Sequence, residues 1–189
     1  MSNKVNVVGD FKKSGLTKKQ LKKVVETVFD VLDSPLSSSG LTRGYIKKMD
    51  FRRSLSAGEI PASAGMTKEA AGMTHAHKLC TGQAEEGGND KIINIAFVGS
   101  KKIRELNKKY RKIDKSTDVL SFDYGDEGDI LLCVDIIDKH RGSDSLRNSV
   151  VKTLIHGALH LYGYNHENDK NHAIMEVVEN KIYSRIHLD

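Results

Sequence analysis

Residues 155–166 read IHGALHLYGYNH, and this stretch carries the strongest structural and chemical signal in the sequence. His156 and His160 are one helical turn apart, so their imidazoles share one face of a helix. Gly163 can adopt the left-handed conformation that ends a helix, and His166 can then return toward that face. Three histidines with a fourth position open to water form the ligand pattern of a catalytic zinc site, where the metal makes its water more acidic and supplies a hydroxide nucleophile.

The same spacing resembles that of metzincin proteases, with one element missing. Those proteases have a glutamate directly after the first histidine, where it acts as the general base. Here that position is Gly157, which cannot accept a proton. The sequence therefore favours a metal-dependent hydrolase of another kind, with a zinc peptidase or amidase as the alternative.

The chain around this motif alternates between strand-like and helix-like patterns, which predicts an α/β (α+β) fold. Strands are expected at about 4–8, 92–98, 118–122 and 129–134. Helices are expected at about 17–33, from a cap at Ser100 onward, at 146–161 and at 169–187. Thr17 and Gln20 have the spacing of a capping box at the start of the first helix. The histidine motif therefore lies at the end of a long apolar helix.

A segment of different composition, at about residues 34–91, interrupts these patterns. Only seven of its 58 residues are Leu, Ile, Val or Phe, about 12 % against about 32 % elsewhere, and it holds eight of the 16 glycines. Burial of so few apolar side chains cannot offset the entropy lost on ordering. We therefore expect one domain spanning residues 1–189, interrupted by a low-complexity insert that is mostly disordered.

Composition and charge limit the class of protein further. The chain has no apolar run of 18 residues, so no membrane-spanning helix is expected, and its start lacks the apolar region of a signal peptide. Its two cysteines, Cys80 and Cys133, are expected to be free thiols in a reducing cytoplasm. The net charge of +5 permits an RNA or phosphate partner without requiring one.

Three blocks of sequence, taken together, resemble the YbeY family. They are LNKKYRKIDKSTDVLSF (106–122), GDI (128–130) and HGALHLYGYNH (156–166), in the order found in that family. The resemblance covers about residues 92–187 and implies a mixed sheet packed with helices. It also implies a cytoplasmic, zinc-dependent endoribonuclease that cleaves single-stranded rRNA and works on the small ribosomal subunit or its proteins.

The resemblance assigns roles to particular residues. It implies one zinc ion per chain at His156, His160 and His166, with Arg111 and His156 as the candidate catalytic residues. Arg111 is also the candidate RNA-binding residue, because guanidinium offers paired, planar donors to phosphate oxygens. The alternative for Arg111 is a solvated helix end. Four further residues match family positions near the cleft: Asn107, Thr117, Asp118 and Ser121.

Asp118 and Ser121 are the candidates for a hydrogen bond that orients a metal-binding histidine without contacting the metal. Asp118 could equally cap the turn before its strand. Departures from the usual family pattern occur at Ser116, Asp123, Lys152 and Asn165. Of these, Lys152 precedes His156 by one helical turn and is expected to extend its charge outward. A non-catalytic, metal-stabilised ribosome-assembly factor is a further alternative for the whole chain.

Overall fold

A computed structural model of the chain describes residues 4–33, 91–166 and 168–188. The described strands are β1 (Lys4–Gly9), β2 (Ile92–Phe97), β3 (Val119–Asp123) and β4 (Glu127–Leu132). The described helices are α1 (Lys18–Asp33), α2 (Ser100–Arg111), α3 (Val134–His140), α4 (Leu146–Leu161) and α5 (Asp169–Tyr183). This mixture confirms the predicted α/β class. The expected insert lies outside the described residues, apart from its last residue.

The four strands form one mixed sheet in the order β1-β2-β4-β3. The pairs β1–β2 and β2–β4 are parallel, whereas β3 and β4 form an antiparallel pair. Gly125, with a positive φ of 93°, lies in the turn that joins this antiparallel pair. β3 is therefore an edge strand of the sheet.

Side chains alternate between the two faces of the sheet, and each face carries its own apolar cluster. On one face Ile95 and Ile130 pack with α1, α4 and α5 in the larger cluster. On the other face Leu120 and Leu131 pack against α2. The histidine helix α4 and the helix α2 that ends at Arg111 thus lie on opposite faces.

Short-range signals in the sequence are confirmed at the start of α1 and at both ends of α4. The Thr17 amide donates to Gln20 Oε1 at 3.0 Å, and the Gln20 amide donates to Thr17 Oγ1 at 3.2 Å, which is the predicted capping box. α4 has the predicted bounds, with Ser145 as its N-cap. Gly163 follows its end with a φ of 81°, the left-handed conformation expected there.

Several details of the predicted elements were wrong. Ser100 does not cap α2, because Gly99 occupies the N-cap position and provides no side chain. The strand expected to reach Val134 ends at Leu132, and the short helix α3 follows, which the sequence patterns did not reveal. α5 ends at Tyr183 instead of His187. No helix in the described ranges is long and apolar enough to cross a membrane.

Gly157 holds α4 against the sheet. A Cβ at this position would lie 2.9 Å from Val119 Cγ2, 3.0 Å from Ile130 Cγ2 and 3.1 Å from Ser121 Oγ. Ser121 Oγ donates a hydrogen bond to the Gly157 carbonyl oxygen at 2.8 Å, which ties the helix to the edge strand. The position that carries a glutamate in metzincins is therefore a buried helix–sheet contact in this chain.

Gly157→Ala is accordingly expected to lower the free energy of unfolding by about 1–3 kcal/mol, as overpacking of a tight contact does. In an open helix position the same change would stabilise by about 0.5–1 kcal/mol. A urea titration that measures the free energy of unfolding therefore tests the contact, because the two cases predict changes of opposite sign. A stabilised variant would contradict the close approach of α4 to the sheet.

Candidate metal centre

Three histidines converge at the C-terminal end of α4. His156 and His160 lie on one face of the helix, and the reversal at Gly163 brings His166 back to them from the following loop. One ligand atom of each histidine lies within 4.8 Å of those of the other two. The structure thus brings together the three residues that the sequence singled out, hereafter the histidine cluster.

Hydrogen bonds fix the orientation of two of the rings. His156 Nδ1 lies 2.7 Å from Glu179 Oε1, and His160 Nδ1 lies 2.8 Å from the Tyr164 carbonyl oxygen. A carbonyl oxygen only accepts, and an ionised carboxylate only accepts, so Nδ1 is the donor in both hydrogen bonds. The Nε2 atoms of the two rings lie 3.0 Å apart, and a neutral ring with its proton on Nδ1 offers a lone pair at Nε2.

The ionisation of His160 agrees with this assignment. Burial lowers the pKa of His160 to about 4, and the charges of His156, His166 and Arg111 act in the same direction. The hydrogen bond to Tyr164 raises the pKa and is outweighed. His160 is therefore neutral at neutral pH, the state in which imidazole binds a metal ion.

These observations fit a divalent cation. The two Nε2 atoms lie 3.0 Å apart, and two lone pairs at that distance repel each other unless a proton or a cation lies between them. The third ring, His166, is exposed and completes one side of a three-nitrogen set. Three imidazole ligands with an open side suit zinc and related divalent ions.

Glu179 is a residue of the site that the sequence analysis missed. It belongs to α5, and its carboxylate is only partly exposed. Its spacing offered a signal, since Glu179 follows the buried Met175 by four residues and precedes the buried Ile182 by three, on the inward side of the helix. A carboxylate on an apolar stripe needs a partner, and here the partner is the Nδ1–H of His156.

Removing the charge of Glu179 is expected to weaken metal binding. A residue that accepts a hydrogen bond from the second ring nitrogen of a metal-binding histidine typically contributes 10–100-fold to metal affinity, because it sets the tautomer and the basicity of that histidine. Glu179→Gln should raise the zinc dissociation constant by about that factor in a competition with a chromophoric chelator. Glu176→Gln, at an exposed position of the same helix, is the matched control, and equal affinities of the two variants would contradict the role.

Arg111 is the last residue of α2 and is exposed. The chain turns sharply after it, since Lys112 has a left-handed φ of 62°, and then leads to the start of the edge strand β3. The positive charge of Arg111 is among the influences that lower the pKa of His160, so its field reaches the histidine cluster. Arg111 thus ends α2 just before the segment that leads into β3, the strand that Ser121 ties to α4 beside His156.

The other residues named by the family resemblance organise the backbone around that edge. Asp118 Oδ1 accepts from the Val119 amide at 2.9 Å and from Thr117 Oγ1 at 3.1 Å, which matches the turn-capping alternative. Asn107 is buried and donates from Nδ2 to the Lys115 carbonyl oxygen at 2.8 Å. Ser121 bonds to α4 at Gly157. The observed carboxylate partner of a histidine is Glu179, not Asp118.

The four departures from the family pattern are accommodated by new polar contacts. Ser116 Oγ donates to the Ser100 carbonyl oxygen at 3.1 Å, and Asp123 accepts from Lys91 Nζ at 2.7 Å. Lys152 Nζ pairs with Asp144 at 2.6 Å, so its charge extends outward as expected. Asn165 Oδ1 accepts from Asn171 Nδ2 at 2.6 Å, which joins the His166 loop to α5.

The fold and the site together define a class of protein: a mixed α/β domain with a three-histidine cluster, able to hold a metal ion, at the end of a core helix. The family model of Endoribonuclease YbeY matches residues 63–187, of which 63–90 lie outside the described part. The chain belongs to the YbeY endoribonuclease family.

Individual relatives agree with this assignment. The chain is 40 % identical over 93 residues to the Endoribonuclease YbeY of Thermosipho melanesiensis, covering 47 % of this chain and 67 % of the relative. It is 42 % identical over 104 residues to that of Buchnera aphidicola subsp. Acyrthosiphon pisum, covering 50 % and 67 %. A comparison with the solution structure of TM1509 from Thermotoga maritima gives a TM-score of 0.48 at 21 % identity, with coverage of 96 % and 88 %.

Proposed function

We propose that this protein is a zinc-dependent endoribonuclease that cleaves single-stranded rRNA during maturation of the small ribosomal subunit, and that it works in the cytoplasm. His156, His160 and His166 hold one zinc ion per chain in this proposal. The observation that carries it is the cluster of three histidine ligand atoms within 4.8 Å of one another, in a chain of the YbeY endoribonuclease family. We also propose that residues 1–189 form one domain, because β1 and α1 share the larger apolar cluster with α4 and α5.

The residues around the histidine cluster have distinct tasks in this proposal. Glu179 and the Tyr164 carbonyl hold protons on Nδ1 of His156 and His160, so both Nε2 atoms stay directed at the cation. A divalent cation bound there supplies Lewis acidity, which makes a neighbouring water more acidic and offsets negative charge on phosphate.

Arg111 supplies the remaining positive charge. Its guanidinium can bind two phosphate oxygens at once through parallel donors, which orients the phosphodiester beside the histidine cluster. Gly157 has no side chain that could accept a proton, and a Cβ at this position would lie too close to Val119 and Ile130. This contact disfavours the peptidase alternative, which requires a glutamate at that position.

The test compares cleavage of single-stranded and duplex forms of one rRNA fragment by the zinc-loaded protein and by His156→Ala. We expect the wild type to cleave the single strand, and His156→Ala to cleave neither form. Binding of the fragment by the wild type without cleavage would favour a ribosome-assembly factor. Equal cleavage by both proteins would overturn the assignment of the site.

A further inference from the structure

Positive charge is concentrated in one segment of the chain. Residues 100–115 contain eight Lys or Arg residues and two acidic residues, whereas the whole chain has a net charge of only +5. The excess of this segment is larger than that of the whole protein, so the rest of the chain is close to neutral. The segment consists of α2 and the turn that follows it.

The basic side chains of α2 and its C-cap form a stripe on the solvent side of the helix. The basic stripe consists of Lys101, Arg104, Lys108, Arg111 and Lys112, all exposed. Their spacings of three, four, three and one residues keep them within about one third of the helix circumference. The opposite side of α2 carries Ile103 and Leu106, which pack on the sheet.

Asp114 is the acidic residue that pairs with this stripe among the described residues. It accepts from Arg104 Nε at 2.8 Å and from Lys108 Nζ at 2.9 Å. All three side chains are largely exposed, and such pairs contribute little to stability. A phosphate can therefore replace the carboxylate as the partner of these cations with little penalty to the fold.

The stripe ends where the chain turns toward the strand that contacts the histidine helix. Lys101 begins it at the far end of α2, and Arg111 lies about 15 Å further along, before the turn that leads into β3. Ser121 of β3 bonds to α4 at Gly157, the neighbour of His156. A row of cations that leads toward a cleavage site can bind several phosphates of a polyanion that is longer than the site itself. Single-stranded RNA has this property, because it carries one phosphate per nucleotide along a flexible backbone.

We infer that the basic stripe binds the phosphates of the RNA strand on one side of the cleaved bond and directs that strand into the histidine cluster. This inference rests on the proposed endoribonuclease function. Arg111 contacts the phosphate at the site, and Lys101 and Lys108 contact phosphates further along. Recognition by the stripe is independent of base sequence, since only backbone charges are engaged.

The test uses the zinc-loaded full chain and 2′-O-methyl ribo-oligonucleotides of increasing length. The double variant Lys101→Gln/Lys108→Gln is compared with Lys19→Gln/Lys22→Gln, a change of equal charge at exposed positions of α1. For single strands, log K falls with log salt, and the slope is about −0.7 for each phosphate that a cation binds. Removal of two such cations should therefore make the slope of the stripe variant less steep by about 1.4. Its zinc content and melting temperature should equal those of the control.

Length dependence separates a directed strand from general attraction. Short oligonucleotides that reach only the histidine cluster and Arg111 should bind both variants alike, and longer ones should bind the stripe variant less tightly. If wild type, stripe variant and control share one salt slope at every length, the inference is wrong while the endoribonuclease proposal stands. If the wild type neither binds nor cleaves RNA, both fail.

Discussion

His160→Ala is expected to abolish stoichiometric metal binding. The wild type should hold about one divalent ion per chain after loading with zinc and gel filtration, as a three-histidine site does. His160 supplies one of the two Nε2 atoms that lie 3.0 Å apart, and its ring is held by the Tyr164 carbonyl. Without it the remaining imidazoles, His156 and His166, form a two-ligand set, one member of which is exposed.

The matched control is His172→Ala, an exposed histidine on α5 that does not belong to the cluster. It should keep the full metal content by elemental analysis, and both variants should keep the circular dichroism of the wild type. Equal metal content in His160→Ala and the wild type would show that the ion binds elsewhere.

The sequence predicted the histidine cluster because the cluster depends on short-range geometry. A spacing of four residues on a helix and a glycine that ends it are enough to bring His156, His160 and His166 together. The capping box at Thr17 and the bounds of α4 were predictable for the same reason. In each of these cases the partners lie within about ten residues of each other along the chain.

Features that depend on contacts between distant parts of the chain were not predictable in this way. Glu179 is 23 residues from His156, and only the packing of α5 on α4 makes it the partner of that ring. Asp118 has the right chemistry for the same role, but its carboxylate is used by the turn before β3. The sheet order depends on pairing between β1 and β2, which are far apart in the chain.

The reason for the glycine at position 157 also became clear only from the fold. From the sequence, Gly157 was a missing general base, whereas the structure shows a contact that leaves no room for a side chain. The glycine at position 157 therefore accounts both for the missing proton acceptor and for the close packing of α4 on the sheet. In the proposed function the chemistry then depends on the histidine cluster and on Arg111.

Arg111→Ala is accordingly expected to lower kcat on single-stranded RNA by about 10²–10³, or about 2.7–4 kcal/mol, while the metal content stays unchanged. The negative charge on the phosphate increases as the bond is attacked, so a donor that is fixed beside it contributes most in the transition state. Arg111→Lys should recover little of the rate, because an ammonium group cannot form two parallel hydrogen bonds. Lys109→Ala, at an exposed position on the same helix and outside the basic stripe, should leave kcat unchanged. If Arg111→Ala raises KM alone and saturated turnover is that of the wild type, Arg111 binds RNA without acting on the transition state.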